Sequence, residues 1–156
     1  MVERNLVLLR EQVLQKATSY LGAPSVPYTN PENGQDPENG FDCSGFVTRV
    51  LEETGIDLPR GIRHSNEYFD KFGILIHAYK PGDLIFYSYK GTAPNHMGII
   101  YDEDSYIHAP GRINTQVEIK KIKRTPINAS GEEIIYTNNP IGFKRIAMQE
   151  GRWYKI

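Results

Sequence analysis

The chain carries one cysteine, Cys43, inside the run Phe41-Asp42-Cys43-Ser44-Gly45, and four histidines, His64, His77, His96 and His108. Cys43 stands where a Gly-, Pro- and Asn-rich stretch stops and an apolar helical pattern begins. A thiol at a helix start lies beside unpaired backbone N–H groups and the positive end of the helix dipole, which favour the thiolate. A thiolate is a nucleophile, so the position suggests covalent chemistry at a carbonyl. Such a nucleophile needs a base to take its proton and a third group to orient that base.

Two of the histidines can supply both. Segments 96–101 and 105–109 flank the acidic turn Asp102-Glu103-Asp104 in the manner of a β-hairpin. A turn centred on Glu103 sets His108 opposite Gly98, with His96 diagonally across. Both imidazoles then share one face, roughly 7–8 Å apart at the backbone and within side-chain reach. Gly98 leaves space beside His108, while Met97, Ile99, Tyr101, Ile107 and Ala109 point the other way into apolar packing. A one-residue slip would put the histidines on opposite faces. Taken singly, a cysteine is more often a small buried apolar group, and a strand histidine more often structural. The three residues with a water could also ligate zinc, although nucleophile activation already accounts for a cysteine at a helix start.

The elements that must position these groups follow from periodicity. Residues 3–21 read as an amphipathic helix with Leu6, Leu9, Val13, Ala17, Tyr20 and Leu21 on one stripe, ended by Gly22 and Pro24. Residues 22–41 read as loop, with Pro-Glu-Asn-Gly at 31–34 and 37–40 as two tight turns. A second helix, 43–54, has Asp42 as N-cap, Phe46, Val47, Val50 and Leu51 as its buried stripe, and Gly55 past its end. A short helix spans 62–72. Strands are expected at 83–89, 96–101, 105–109, 115–122 and 141–147, with a surface loop over 123–140. Helices first and an antiparallel meander second indicate an α+β fold.

With 156 residues, 39% hydrophobic and 24% charged, the chain reads as a single globular domain, 1–156. A net charge of −1 gives no reason to expect nucleic acid or an anionic membrane as partner. One cysteine excludes an intrachain disulfide and a multi-cysteine zinc site. No run approaches the roughly 18 apolar residues of a membrane span. The apolar run Leu6 to Leu9 is too short for a secretory leader. As written, the expectation is a soluble protein made in the cytoplasm; a removed leader, or export by a phage or secretion machine, stays open. Nothing in the sequence specifies an oligomeric state.

The same residues resemble the NlpC-type cell-wall peptidases, a branch of the papain-like cysteine peptidases. Five motifs occur in the expected order between about residues 16 and 147: Phe41-Asp42-Cys43-Ser44-Gly45-Phe46-Val47, Gly55-Ile56-Asp57-Leu58-Pro59-Arg60, Pro81-Gly82-Asp83-Leu84-Ile85-Phe86-Tyr87, Asn95-His96-Met97-Gly98-Ile99-Ile100-Tyr101 and Tyr106-Ile107-His108-Ala109. The resemblance implies N-terminal helices packed on a five- to six-stranded antiparallel sheet. It also implies Cys43 as nucleophile, His96 as base and acid, and His108 as the group orienting His96. It further implies that Asp42 and Ser44 help bind a substrate's free amino group, and that Tyr28 contributes to the oxyanion site. The Trp-Gly-Gly usual after that tyrosine is replaced by Thr29-Asn30-Pro31, and Tyr20 is the alternative.

The implied reaction is hydrolysis of a peptidoglycan stem peptide beside a γ-linked D-glutamate, with no metal or other cofactor. Two other readings keep the same residues: acyl transfer from the thiolate to an amine or lipid, and a non-catalytic, cell-wall peptide-binding or phage-associated module.

Overall fold

A computed structural model of the chain describes residues 2–88, 94–122 and 140–146. Helix α1 (Val2–Ser19) buries Leu9, Val13 and Ala17, three residues four apart on one stripe. Leu21, expected on that stripe, is exposed because the helix has already ended. Helix α2 (Cys43–Glu53) starts at the N-cap Asp42, whose carboxylate accepts from the Gly45 N–H at 2.6 Å. It ends ahead of Gly55, whose φ of 91° suits a glycine. Helix α3 (Ser65–Lys71) is shorter than the expected 62–72. It starts at His64, which caps it reciprocally with Glu67.

The strands are β1 (Pro24–Ser25), β2 (Gln35–Asp36), β3 (Gly40–Phe41), β4 (Ile74–Ile76), β5 (Leu84–Tyr87), β6 (His96–Ile100), β7 (Ser105–His108), β8 (Thr115–Gln116), β9 (Glu118–Lys121) and β10 (Pro140–Arg145). Six of them form an antiparallel sheet in the order β4-β10-β5-β6-β7-β9. The α+β class and the six-stranded antiparallel sheet are therefore as the sequence implied. One face of the sheet meets the helices. Leu84, Phe86, Met97, Ile99 and Ile107 pack there with Phe46, Val47, Val50 and Leu51 of α2. The other face carries a smaller cluster of Ile85, Tyr87, Ile100 and Tyr106.

Three features depart from the expected layout. The 22–41 stretch contains three two-residue strands, which join β8 in a second sheet ordered β2-β3-β1-β8. Segments that short, punctuated by turns, leave no periodicity to read. The expected strand 115–122 splits between the two sheets. The buried Val117 exchanges backbone hydrogen bonds with Ala23 and Gly22, so β8 belongs to the small sheet and β9 to the large one. The edge strand β4 was not anticipated. Tyr89, Ala147 and residues 123–139 of the expected 123–140 loop lie outside the described residues, while Pro140 begins β10.

Candidate active site

Cys43 is the first residue of α2, and its position is fixed by charge as well as by the cap. Asp42, 1% exposed, forms a two-pronged ion pair with Arg63, with Nη2 to Oδ2 at 2.7 Å and Nη1 to Oδ1 at 3.1 Å. Arg63 Nη1 also donates to Ser44 Oγ at 2.8 Å. Its remaining donors hold the turn before the nucleophile, through Pro31 O at 2.9 Å and Asn33 O at 2.6 Å. Thr48 Oγ1 donates to the Ser44 carbonyl at 2.7 Å. Gly45 packs against this turn so closely that a Cβ there would lie 1.9 Å from the Gly34 carbonyl oxygen.

The histidines come from the β6–β7 hairpin in the register the sequence indicated, with Ile99 opposite Ile107 and Ile100 opposite Tyr106. A Cβ on Gly98 would sit 3.0 Å from His108 Cβ, so the glycine does make room for that ring. Met97, Ile99, Ile107 and Ala109 enter the main core as expected, whereas Tyr101 sits half-buried at the turn. His96 Nε2 and His108 Nδ1 lie 2.7 Å apart, and His108 Nε2 lies 3.3 Å from Glu118 Oε1 on the neighbouring strand β9. Both histidines are 2% exposed and flanked by Tyr87 and Tyr106.

Burial dominates the protonation of all three groups. It pushes the Cys43 thiol up to about 11, with the Asp42 charge adding to the rise. The N–H groups of Met97 and Ser44 and the Arg63 charge pull the other way without reversing it. This direction is opposite to the one helix position suggests: the helix start is covered, and loss of water outweighs the nearby donors. Burial, then the charges of Lys120 and Arg112, takes His96 down to about 4. His108 falls further, through burial, His96, Lys120 and Arg112. Burial thus favours the neutral form of the thiol and of both imidazoles.

Cys43, His96 and His108 open together on a cleft of about 420 Å³, lined also by Tyr28, Asp42, Asn95, Pro110, Gly111, Arg112 and Lys120. Tyr28 stands on its wall, edge-on to His64 and under the Arg63 guanidinium. Tyr20 is placed elsewhere: its hydroxyl bonds Glu53, ten residues along α2 from Cys43 and about 15 Å away along the helix axis. Ser44 is fully buried beneath the cleft. His96 and His108 direct ring nitrogens at each other, which is not how two ligands face a shared zinc ion. Among the described residues no group of three or more His, Cys, Asp or Glu is arranged to hold a metal.

Two residues escaped the sequence reading. Arg63 lies 21 positions from Asp42 in a turn-rich segment with no local signal. Glu118 was readable in principle, because pairing of β7 with β9 puts it opposite His108.

A buried helix-start cysteine and a hydrogen-bonded histidine pair on an antiparallel sheet define a thiol–imidazole site of the kind used in acyl transfer. A model of the NlpC/P60 family matches residues 26–130, and the chain belongs to that family. It is 36% identical over 100 residues to the gamma-DL-glutamyl hydrolase of Bacillus subtilis (strain 168), covering 62% of this chain and 22% of that protein. It is 36% identical over 91 residues to the bifunctional muramidase/DL-endopeptidase CwlT of the same organism, covering 57% of this chain and 26% of that protein. The chain thus spans about a quarter of the length of these relatives. Among solved structures, an NlpC/P60 family protein from Bacillus cereus superposes with a TM-score of 0.66 at 25% identity, over 89% of this chain and 40% of that one. No helix among the described residues is long and apolar enough to cross a membrane.

Proposed function

We propose that this chain is a cysteine peptidase hydrolysing peptidoglycan stem peptides, at the bond beside a γ-linked D-glutamate, through a thioester acyl-enzyme. The observation that supports it most is the His96–His108 hydrogen bond on the wall of the cleft where Cys43 opens. Names of the relatives, a γ-DL-glutamyl hydrolase and a DL-endopeptidase, support the substrate class.

In this reading Cys43 Sγ attacks the carbonyl carbon as its proton passes to His96. That proton goes to Nδ1, since Nε2 is engaged with His108. The Cys43 N–H and the Tyr28 hydroxyl stabilise the oxyanion. His96 then gives the proton to the leaving amine, and the thioester remains. Water attacks the thioester with His96 as base, releasing the carboxylic acid and restoring the thiol. His108 accepts from His96 Nε2–H at Nδ1 and so carries its own proton on Nε2, directed at Glu118. The tautomer of His108 is thereby fixed by its far-side partner, as in other triads. Asp42, held by Arg63 and by the buried Ser44 hydroxyl, forms the polar wall beside the nucleophile against which the substrate peptide lies.

Digestion of a defined stem peptide by wild type and by Cys43→Ala, read by mass spectrometry, tests the assignment. Wild type is expected to release two fragments with one water added, and Cys43→Ala none. Equal digestion by both proteins, or a product joined to an added amine in place of water, would remove this reading.

A further inference from the structure

The charged groups around the cleft are unevenly matched. Among the described residues Asp42 is the only acid lining it, and Arg63 already occupies both of its carboxylate oxygens. The Gly45 N–H and the Ser44 hydroxyl take further positions on Oδ1, at 2.6 and 3.3 Å. A substrate ammonium arriving there meets a neutralised, hydrogen-bonded carboxylate. Two cations, Arg112 and Lys120, line the same cleft. Among the described residues neither makes a side-chain hydrogen bond or an ion pair. Glu118, two residues before Lys120 on β9, faces His108.

Both cations are held on fixed backbone. Gly111 N–H donates to the buried Ser25 hydroxyl at 2.7 Å, and that hydroxyl donates to the Phe41 carbonyl at 3.0 Å. The turn bearing Arg112 is therefore tied to the residue two places before Cys43. Lys120 lies on β9 opposite Tyr106, two residues from Glu118 and on the same side of the strand. Their charges reach both imidazoles, which each of them pushes toward the neutral form.

We propose that Arg112 and Lys120 form a carboxylate-binding subsite, so that the cleft selects a substrate bearing a free carboxylate next to the scissile bond and requires no free ammonium group. The inference rests on the hydrolytic reading above and narrows it. The free α-carboxylate of a γ-linked glutamyl residue is the group of that chemistry. An arginine fork with a second cation is suited to a carboxylate and gains nothing from the corresponding amide.

Two measurements on the whole chain separate this proposal from the reading beneath it. The first compares alkylation of Cys43 by iodoacetate and by iodoacetamide at one pH and low salt. The anionic reagent is expected to lose about tenfold relative to the neutral one in Arg112→Ala/Lys120→Ala. It needs no turnover, so an unchanged ratio overturns the subsite even if peptides are cleaved. The second compares kcat/KM for γ-glutamyl peptides with a free α-carboxylate, with an α-amide, and with an acetylated amino terminus. Wild type is expected to favour the carboxylate over the amide about tenfold, mainly through KM, and the double variant to lose that preference. Acetylation is expected to change the rate less than about threefold, since the acid lining the cleft among the described residues is already paired. Equal handling of acid and amide, or a collapse on acetylation, overturns the proposal while leaving hydrolysis intact. If no peptide is cleaved at all, the hydrolytic reading fails, and the alkylation ratio alone decides the subsite.

Discussion

On one side of the cleft, Cys43 is placed by a buried ion pair and by the turn that Arg63 draws in from Pro31 and Asn33. On the other, His96 and His108 are placed by the backbone ladder of a hairpin and by the absence of a side chain at Gly98. The nucleophile wall thus depends on residues far apart in sequence and on paired charge. The base wall depends on register, which a few neighbouring residues determine. The first kind of support is lost in one step when a partner is removed. The second kind is distorted by small intrusions.

The largest effect is expected at Arg63. Arg63→Ala leaves Asp42 buried without its partner, which costs about 3–5 kcal/mol of folding stability. Chemical denaturation reads this directly, and a loss under about 1 kcal/mol would show that the ion pair does not hold the nucleophile wall. A smaller effect follows at Gly98. Its Cβ in Gly98→Ala would meet the Ile107 carbonyl oxygen at 2.8 Å and His108 Cβ at 3.0 Å. The backbone must shift, at about 1–3 kcal/mol of stability. Because the shift falls on the histidine pair, kcat is expected to drop further than stability alone explains. A variant with wild-type kcat would mean that hairpin geometry does not set the base.

The remaining effect is the pH dependence of stability. Burial lowers His96 to about 4 and His108 further in the folded chain, against an ordinary histidine value near 6.5. Below that value the unfolded chain binds protons that the folded chain refuses, so the histidine contribution is flat above pH 7 and stability falls as pH drops toward 4. The loss approaches about 1.4 kcal/mol per pH unit for each histidine that stays neutral. Thermal unfolding at pH 7.5 and pH 5 checks it, with a smaller decrease expected for His108→Gln. Parallel decreases in the two proteins would contradict the assignment to the histidine wall.

The contrast between the walls also explains what the sequence disclosed. The β6–β7 register, the role of Gly98 and the Asp42 cap were legible because each is decided within a dozen residues. The Asp42–Arg63 pair was not, since the fold alone brings position 63 beside position 42. The two-residue strands of 22–41 carry too little pattern to be seen. The sign of the Cys43 shift was missed for a similar reason. Helix position speaks for a thiolate, but burial is a property of the assembled fold, and here it prevails. Glu118, readable from pairing of β7 with β9, was obscured by reading 115–122 as one strand when it divides between two sheets at Val117.

The claim that these walls together perform acyl transfer is tested most directly by the covalent state of Cys43 during digestion of a stem peptide. Acid-quenched wild type is predicted to carry the acyl fragment on Cys43 as a thioester by intact mass and peptide mapping. His96→Ala is predicted to accumulate none or to release it slowly. Cleavage that proceeds while Cys43 stays unmodified, and that continues in Cys43→Ala, would contradict the account.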